Sequence, residues 1–285
     1  MANPWDVTDP GVVPDWLRSA LCGQDDSAGS AGFRATKNWI DAGGNPNATH
    51  SHPYSTEAER FLSFKRTRTS SRCLLRASYS PLGTPESLLF MAVYAFNDAA
   101  VRLLLESGAD ATILEAVTFA DGDHADPQVV HTPLCACVRG IGNVIKCEGE
   151  WDKCLLAKML AMSKMLIDVG VDLDYVDSTD QRSALVWAAK TGNEDIVQLL
   201  VSRGADVSLC DAFGMDALFH AIMGITSADD DDETQGWTRI KNFLDNVVLQ
   251  AGGWPAYVAA PRNNLFALRA LVERGRASAP PGSVL

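Results

Sequence analysis

The sequence predicts an all-α fold in which short helix-turn-helix units follow one another along the chain. In residues 183–211, apolar side chains recur at helical spacing in two neighbouring segments, which are separated by a turn at Gly192. The helical pattern that contains Leu185 begins again at Leu218, a period of about 33 residues. A period of this length indicates stacked units, each of which buries its apolar face against its neighbours.

Helix ends and helix starts recur with the same period. Gly204 is expected to end the second helix of this unit, because the left-handed position after a helix favours glycine. The tripeptide Gly-Ala-Asp that begins there also begins at Gly108. Thr132 and Pro133 supply a capping hydroxyl and a residue suited to the first helical position. The recurrence argues against a chance match in one unit.

These motifs resemble those of the ankyrin-repeat family, whose units read T-P-L-x-x-A-A-x-x-G, then I-V-x-L-L-L-x-x-G-A-D, then D-x-x-G. The resemblance covers most of residues 87–256 and, more weakly, residues 14–47. It departs from the family at Phe96, which stands where a glycine usually separates the two helices. It implies an ankyrin-repeat α-solenoid of about five repeats with short β-hairpin-like fingers, large insertions and a C-terminal capping helix. The matching residues of the unit at 183–211 and the turn after it are Ser183, Ala184, Leu185, Ala188, Ala189, Gly192, Gly204, Ala205, Asp206, Asp211 and Gly214.

The repeats and the stretches that break their period divide the chain into four expected segments. Helical patterns mark the repeats, whereas polar or charged runs without the period mark insertions. The run from Asp229 to Glu233 predicts a solvated acidic loop, after which an outer helix resumes at Trp237. The segments are residues 1–47 (N-terminal segment and degenerate first repeat), 48–83 (insertion with a basic island), 84–256 (repeats, with insertions at 111–131, 143–155 and 225–236) and 257–285 (C-terminal capping helix and tail).

The composition argues against a nucleic-acid ligand. The chain has 285 residues, of which 47% are hydrophobic, and a net charge of −12 at pH 7. Binding of nucleic acid depends on clustered cations, so none is expected, and the acidic charge favours a basic partner surface. No run approaches the roughly 18 apolar residues of a membrane span, and no signal-peptide pattern begins the sequence. Seven scattered cysteines indicate reduced thiols and a location in the cytosol or nucleus.

The cysteines and acidic residues offer two metal-site hypotheses. Zinc ligands typically occur in C-x₂₋₄-C pairs, but the third repeat reads C-x-C and then C-x₆-C, so structural thiols are favoured over a zinc site. The acidic residues of the 111–131 insertion lack the mid-loop glycine and distal glutamate of a calcium loop, so a solvated finger is favoured. The residues concerned are Cys135, Cys137, Cys147, Cys154, His124 and His131 for zinc, and Asp121, Asp123 and Asp126 for calcium.

No motif indicates catalysis, so we expect neither an enzyme nor a cofactor. The glycine pair at Gly140 and Gly142 follows a helix rather than a strand and has no lysine-serine pair after it, unlike a phosphate-binding loop. His220 on an inner helix is expected to be structural, and the sequence holds no G-x-S-x-G motif. A basic island at residues 65–76 is expected to be a solvated insertion, with a phosphorylatable or docking loop as the alternative.

In ankyrin stacks, finger tips and exposed positions of the inner helices line a concave groove that binds partners. Phe213 and Met215 flank Gly214 at a finger tip, where the chain itself should bury them poorly, and such side chains often anchor interfaces. The alternative is that Phe213 packs on the neighbouring finger. By register, the expected groove residues are Glu86 and Tyr94 in the second repeat, His131 and Arg139 in the third, Arg182, Lys190 and Thr191 in the fourth, and Phe213, Met215 and Met223 in the fifth.

The resemblance implies a non-enzymatic interaction module or scaffold that binds one or more partner proteins and is monomeric outside complexes. Two alternatives remain open, beside a third in which the chain is an enzyme that uses the Cys/His group of the third repeat. Residues 265–271, followed by Pro280 and Pro281, loosely resemble the box of substrate-recruiting ubiquitin-ligase subunits, although the cysteine of that box is missing. The chain could instead be a structural subunit that docks into a large assembly through its insertions.

Overall fold

The computed structural model describes residues 7, 9–21, 31–50, 86–117, 120–121, 124–125, 129–142, 153–228 and 231–250. These residues contain ten helices. In chain order they are α1 (Asp15–Leu21), α2 (Ala31–Asp41), α3 (Leu88–Tyr94), α4 (Asp98–Glu106), α5 (Pro133–Gly142), α6 (Lys153–Asp168), α7 (Ala184–Lys190), α8 (Glu194–Ser202), α9 (Ala217–Ser227) and α10 (Asp231–Gln250). The helices therefore agree with the all-α repeat fold that the sequence predicts.

Side chains cap the starts of the helices. The hydroxyl of Ser183 accepts a hydrogen bond from the amide of Val186, and Ser87 caps α3 in the same way. Thr132 Oγ1 accepts from the amide of Cys135, as its place in the T-P-L motif predicts. Asp216 caps α9 with a carboxylate instead of a hydroxyl. Each cap satisfies a backbone donor that the helix itself leaves without a partner.

Left-handed residues end the helices. Gly204 has a φ of 93°, and the amide of Ala205 donates to the carbonyl of Leu200 over 3.0 Å, which confirms the predicted helix stop. Gly192 ends α7 with a φ of 76°, and Phe96 ends α3 in the same conformation with a φ of 50°. The departure from the family pattern at Phe96 therefore leaves the backbone geometry unchanged.

The chain divides into two compact units, Met1–Thr179 (unit 1) and Asp180–Leu285 (unit 2). In unit 1 the helices pack in consecutive pairs, α1 with α2, α3 with α4 and α5 with α6. The first helix of each pair contacts the first helix of the next, and the second helices do the same. The core of unit 1 consists of the apolar faces between these two layers, where Leu17, Phe90, Leu104 and Leu134 are fully buried.

Unit 2 repeats this arrangement with the pairs α7–α8 and α9–α10. Helix α9 packs against α7, and α10 packs against α8. The ring of Trp237 lies on two glycines: a Cβ at Gly224 would be 2.3 Å from the ring, and a Cβ at Gly192 would be 3.0 Å from it. Trp237 Nε1 also donates to the carbonyl of Ala189 over 3.1 Å. The missing side chains of these glycines therefore allow the two helix pairs to come close together.

The fingers contain short antiparallel ladders. Strand β1 (Thr49–His50) pairs with β2 (Glu86–Ser87), and β3 (Glu115–Val117) pairs with β6 (Val129–His131). Between the latter, β4 (Ala120–Asp121) pairs with β5 (His124–Ala125). In unit 2, a single antiparallel bridge joins Cys210 to Asp216. The predicted finger at 111–131 is therefore an extended hairpin over its described residues.

The start of the last outer helix differs from the prediction. Helix α10 begins at Asp231, six residues before the expected resumption at Trp237, so Asp231–Glu233 belong to its first turn rather than to a loop. Carboxylates are favoured in a first helical turn because they interact with the positive end of the helix dipole. Outside the described residues lie 51–85, which include the basic island, residues 143–152 of the second expected insertion, and 251–285, which include the expected capping helix.

Candidate functional site

In unit 2, Asp211 organises the finger that carries Phe213 and Met215. One carboxylate oxygen, Oδ1, accepts hydrogen bonds from the amides of Phe213 and Met215, each over 2.9 Å. The amide of Asp211 donates to the carbonyl of Met215, and its carbonyl accepts from the amide of Gly214, also over 2.9 Å each. These four bonds close a tight turn, and the amide of Ala212 donates to the carbonyl of Asp180, so the finger holds its shape through bonds within unit 2.

The other carboxylate oxygen of Asp211 lies in a buried polar cluster. Oδ2 accepts from Arg182 Nε over 3.3 Å and from His220 Nε2 over 2.9 Å. Arg182 also pairs with Asp180. Burial raises the pKa of Asp211, but the hydrogen bonds from His220 and from the amides of Met215 and Phe213 outweigh it, so the pKa is lower than usual. The structural role expected of His220 agrees with this contact.

Aromatic rings and cations alternate beside this cluster. The guanidinium carbon of Arg182 lies 4.9 Å from the ring centre of Trp187 and 5.9 Å from that of Phe213. Lys190 Nζ lies 4.9 Å from the same Trp187 ring. Arg182 and Trp187 are buried, at 6% and 8% exposure, whereas Phe213 is 48% exposed. The cluster therefore reaches the surface through Phe213 and Lys190.

The remaining predicted residues of unit 2 are partly accessible. Thr191 is half-buried, and its hydroxyl donates to the carbonyls of Trp187 and Ala188. The hydroxyl is therefore bonded to the backbone at the end of α7. Met215 and Met223 are half-buried. Among the predicted groove residues of unit 2, Phe213 and Lys190 are the two that are exposed, whereas Arg182 is buried and can only support a contact surface.

In unit 1, His131 lies in a buried aromatic cluster with Phe90 and Tyr94. His131 is fully buried, its ring stacks on Phe90 with centres 5.9 Å apart, and its Nε2 lies 2.8 Å from the hydroxyl of half-buried Tyr94. Burial and the charge of Arg139 lower the pKa of His131 to about 3, against the opposing effect of Asp177. His131 is therefore a neutral residue that holds Tyr94 and has no surface to offer a partner.

Glu86 and Arg139 complete the predicted residues of unit 1. Glu86 lies in β2 opposite His50, and its side chain is not among those described. Arg139 lies near the end of α5 and is half-buried. Within unit 1 the structure therefore brings Tyr94 and His131 together, while the charge of Arg139 is close enough to act on His131.

The cysteines of α5 are packed among backbone and hydroxyl groups. Cys135 Sγ lies 3.8 Å from the carbonyl oxygen of Tyr175, and Cys137 Sγ lies 3.6 Å from Ser163 Oγ. Burial raises the pKa of Cys135 to about 11 and that of Cys137 to about 12, so both are protonated thiols. Within the described ranges, no three His, Cys, Asp or Glu side chains are arranged to hold a metal ion. Cys147 and the side chain of Cys154 fall outside what the structure describes.

The acidic residues of the repeat tails make local turns. Asp172 Oδ1 accepts from the amide of Asp174 over 2.9 Å, and Asp206 Oδ1 accepts from the amide of Ser208 over 2.8 Å. Asp110 accepts from both the amide and the hydroxyl of Thr112, which lowers the pKa of Asp110. The predicted calcium alternative concerned Asp121, which lies in β4, and two residues outside the described ranges.

Sequence reasoning missed two residues of the cluster in unit 2. Trp187 was assigned no role, although it stands three residues before Lys190, a spacing that places both side chains on one helix face. Asp211 was noted only as part of the D-x-x-G motif. Its contacts with Arg182 and His220 bridge 29 and nine positions of sequence, so no local pattern could reveal them.

Comparison with known families agrees with this architecture. Residues 154–228, which include α7, α8 and α9, match the family model for ankyrin repeats (3 copies). No curated protein sequence matches the chain significantly. Residues 154–228 are therefore ankyrin repeats. Ankyrin repeats generally mediate protein–protein interactions and are typically non-enzymatic. No helix in the described part of the chain is long and apolar enough to cross a membrane.

Proposed function

We propose that this protein is a non-enzymatic interaction module that binds a partner protein through its finger tips and the exposed positions of its inner helices. The observation that carries the proposal is the finger of Phe213, an exposed aromatic ring on a turn that Asp211 holds rigid. An aromatic side chain that is ordered before binding loses little entropy in a complex, which is typical of interface anchors.

Three finer features accompany this proposal. Each of the five helix pairs is one repeat unit, which the recurring helix caps and left-handed helix ends support. Lys190 and Tyr94 contribute to the binding surface from inner helices, since Lys190 is exposed and Tyr94 half-buried. The protein resides in the cytosol or nucleus, which the free thiols of Cys135, Cys137 and Cys210 support.

The test is capture of partners from native lysate with the wild-type protein and the double variant Phe213→Ala/Met215→Ala, followed by cross-linking mass spectrometry. The expected result is a partner that the double variant loses, with cross-links to Lys190. The matched control is Val169→Ala, because Val169 is 53% exposed directly after the outer helix α6 of unit 1 and its truncation removes apolar surface away from the finger tips and inner helices. The control should retain the partner.

A different result would redirect the assignment. If the double variant keeps the partner and cross-links gather at Lys65, Lys146 or Lys153, the insertions bind and the repeats serve as a scaffold. That outcome favours the alternative in which the chain docks into an assembly through its insertions. If neither protein captures any partner, the proposed function fails.

A further inference from the structure

His220 connects an inner helix to the finger that carries Phe213. It lies on α9, and its Nε2 is 2.9 Å from Oδ2 of Asp211. Both side chains are buried, at 6% exposure for His220 and 0% for Asp211. Because the lowered pKa of Asp211 keeps its carboxylate ionised, the carboxylate only accepts hydrogen bonds, and Nε2 is the donor. The bond is therefore charge-assisted and stronger than a bond between neutral groups.

The two oxygens of the Asp211 carboxylate have different partners. Oδ1 accepts from the amides of Phe213 and Met215, over 2.9 Å each. Oδ2 accepts from His220 over 2.9 Å and from Arg182 over 3.3 Å. Because one planar group carries all four bonds, the carboxylate cannot turn away from the inner helix without disturbing the two amides. The shorter of the two Oδ2 bonds comes from His220, so the orientation of the carboxylate depends on His220 more than on Arg182.

We propose that His220 is a positioning residue for partner binding, because its N–H orients the carboxylate that keeps the finger of Phe213 in one conformation. The buried imidazole offers the partner no surface of its own, whereas Phe213 is 48% exposed. A finger that is already ordered loses less conformational freedom in a complex, which strengthens binding. This inference rests on the proposed function and adds to it a residue that determines affinity from inside the fold.

Two substitutions of similar size separate the hydrogen bond from packing. His220→Gln keeps an N–H donor near the place of Nε2, whereas His220→Leu keeps a buried side chain of comparable volume without a donor. Amide hydrogen exchange of Phe213 and Met215 reports how firmly the finger is held. The amide of Ala205, which donates to the carbonyl of Leu200 at the end of α8, is the reference for opening of unit 2 as a whole.

We expect His220→Leu to speed exchange of the two finger amides about tenfold relative to Ala205, as for the loss of one hydrogen bond to a charged group. Exchange in His220→Gln should stay within about twofold of the wild type, because the donor remains. Capture of the partner from native lysate should follow the same order, with about three- to tenfold less partner on His220→Leu than on the other two proteins. If His220→Leu does not fold, His220→Met takes its place, since methionine also has no N–H donor.

The proposal is overturned if His220→Leu leaves the exchange of both finger amides unchanged. It is equally overturned if the leucine and glutamine variants speed exchange to the same extent, because packing rather than the N–H would then hold the finger. A leucine variant that exchanges faster but captures as much partner as the wild type would also overturn it. In each of these cases, loss of the partner from the Phe213→Ala/Met215→Ala variant leaves the proposed function intact. A partner that this double variant retains contradicts the proposed function itself, whatever the exchange rates show.

Discussion

His131 in unit 1 and Arg182 in unit 2 occupy the same position of the repeat, directly before the residue that caps an inner helix. Both were predicted as groove residues, and both are buried, at 0% and 6% exposure. Unit 1 fills the position with a neutral imidazole between Phe90 and Tyr94. Unit 2 fills it with a permanent cation beside Asp180 and Asp211.

The difference shows that the position is a support for the surface rather than part of it. A neutral histidine needs no counter-ion, but it resists protonation when buried. A buried arginine cannot lose its charge and therefore depends on the carboxylates around it. Different perturbations should consequently destabilise the two units. In unit 2, Arg182 also links the buried cluster to the finger of Phe213.

The largest loss of stability is expected when the buried carboxylate that pairs with Arg182 in unit 2 is removed. Asp211→Ala leaves Arg182 without its buried partner and removes the acceptor for two finger amides, so the free energy of unfolding should fall by about 3–5 kcal/mol. Urea unfolding followed by tryptophan fluorescence would measure it. Asp180→Ala is the control: Asp180 is partly exposed, and its removal should cost about 1 kcal/mol or less. Equal losses in the two variants would contradict the central role of Asp211.

A second difference between the units concerns the helix links at Phe96 and Gly192. Gly192→Ala places a side chain in a left-handed conformation and 3.0 Å from the ring of Trp237, so it should destabilise the protein by about 2–3 kcal/mol. Phe96→Ala keeps a non-glycine residue at a left-handed position and trims a half-buried ring, so about 1 kcal/mol is expected. Thermal unfolding of both variants measures the contrast. A Gly192→Ala variant as stable as the wild type would show that the ring of Trp237 can move away.

The buried, neutral His131 of unit 1 should make the free energy of unfolding depend on pH. The pKa of His131 is 6.5 in the unfolded chain and about 3 in the folded chain. Below pH 6.5 the unfolded chain therefore binds a proton that the folded chain does not bind. His131 should therefore cost about 2 kcal/mol of stability at pH 5 relative to pH 7 or above. Asp211 affects stability at lower pH. Because the pKa of its carboxyl is lowered in the folded chain, the stability that it contributes is lost only when the pH falls below the ordinary value of 3.8.

The measurement is urea unfolding of the wild type and of His131→Gln between pH 7 and pH 5. Glutamine does not titrate, so the variant should lose less stability over this range even if its stability at pH 7 is lower. The groups that face His131 are Tyr94, Arg139 and Asp177, and all remain in the variant. Parallel pH profiles would mean that His131 is not the group that titrates.

Several elements could be predicted because their signals are local. Thr132 marks a helix start, and Gly192 and Gly204 mark a link and a helix stop, and the structure has each of them in that role. Phe213 was predicted to be poorly buried because it flanks Gly214 at a finger tip, and it is 48% exposed. The start of α10 was misplaced because an acidic run is compatible both with a solvated loop and with a first helical turn.

The sequence by itself determined the helix pairs, their period and the exposed aromatic tip, because helical spacing, caps and left-handed glycines act over a few residues. The tertiary structure alone decided that His131 and Arg182 are buried, and that Arg182 and His220 both meet Asp211. Burial at these positions depends on which helices and fingers pack over them. The charge balance depends on side chains that come together only when the repeats stack. Residues at similar positions of the repeat can therefore be either exposed on the surface or buried beneath it.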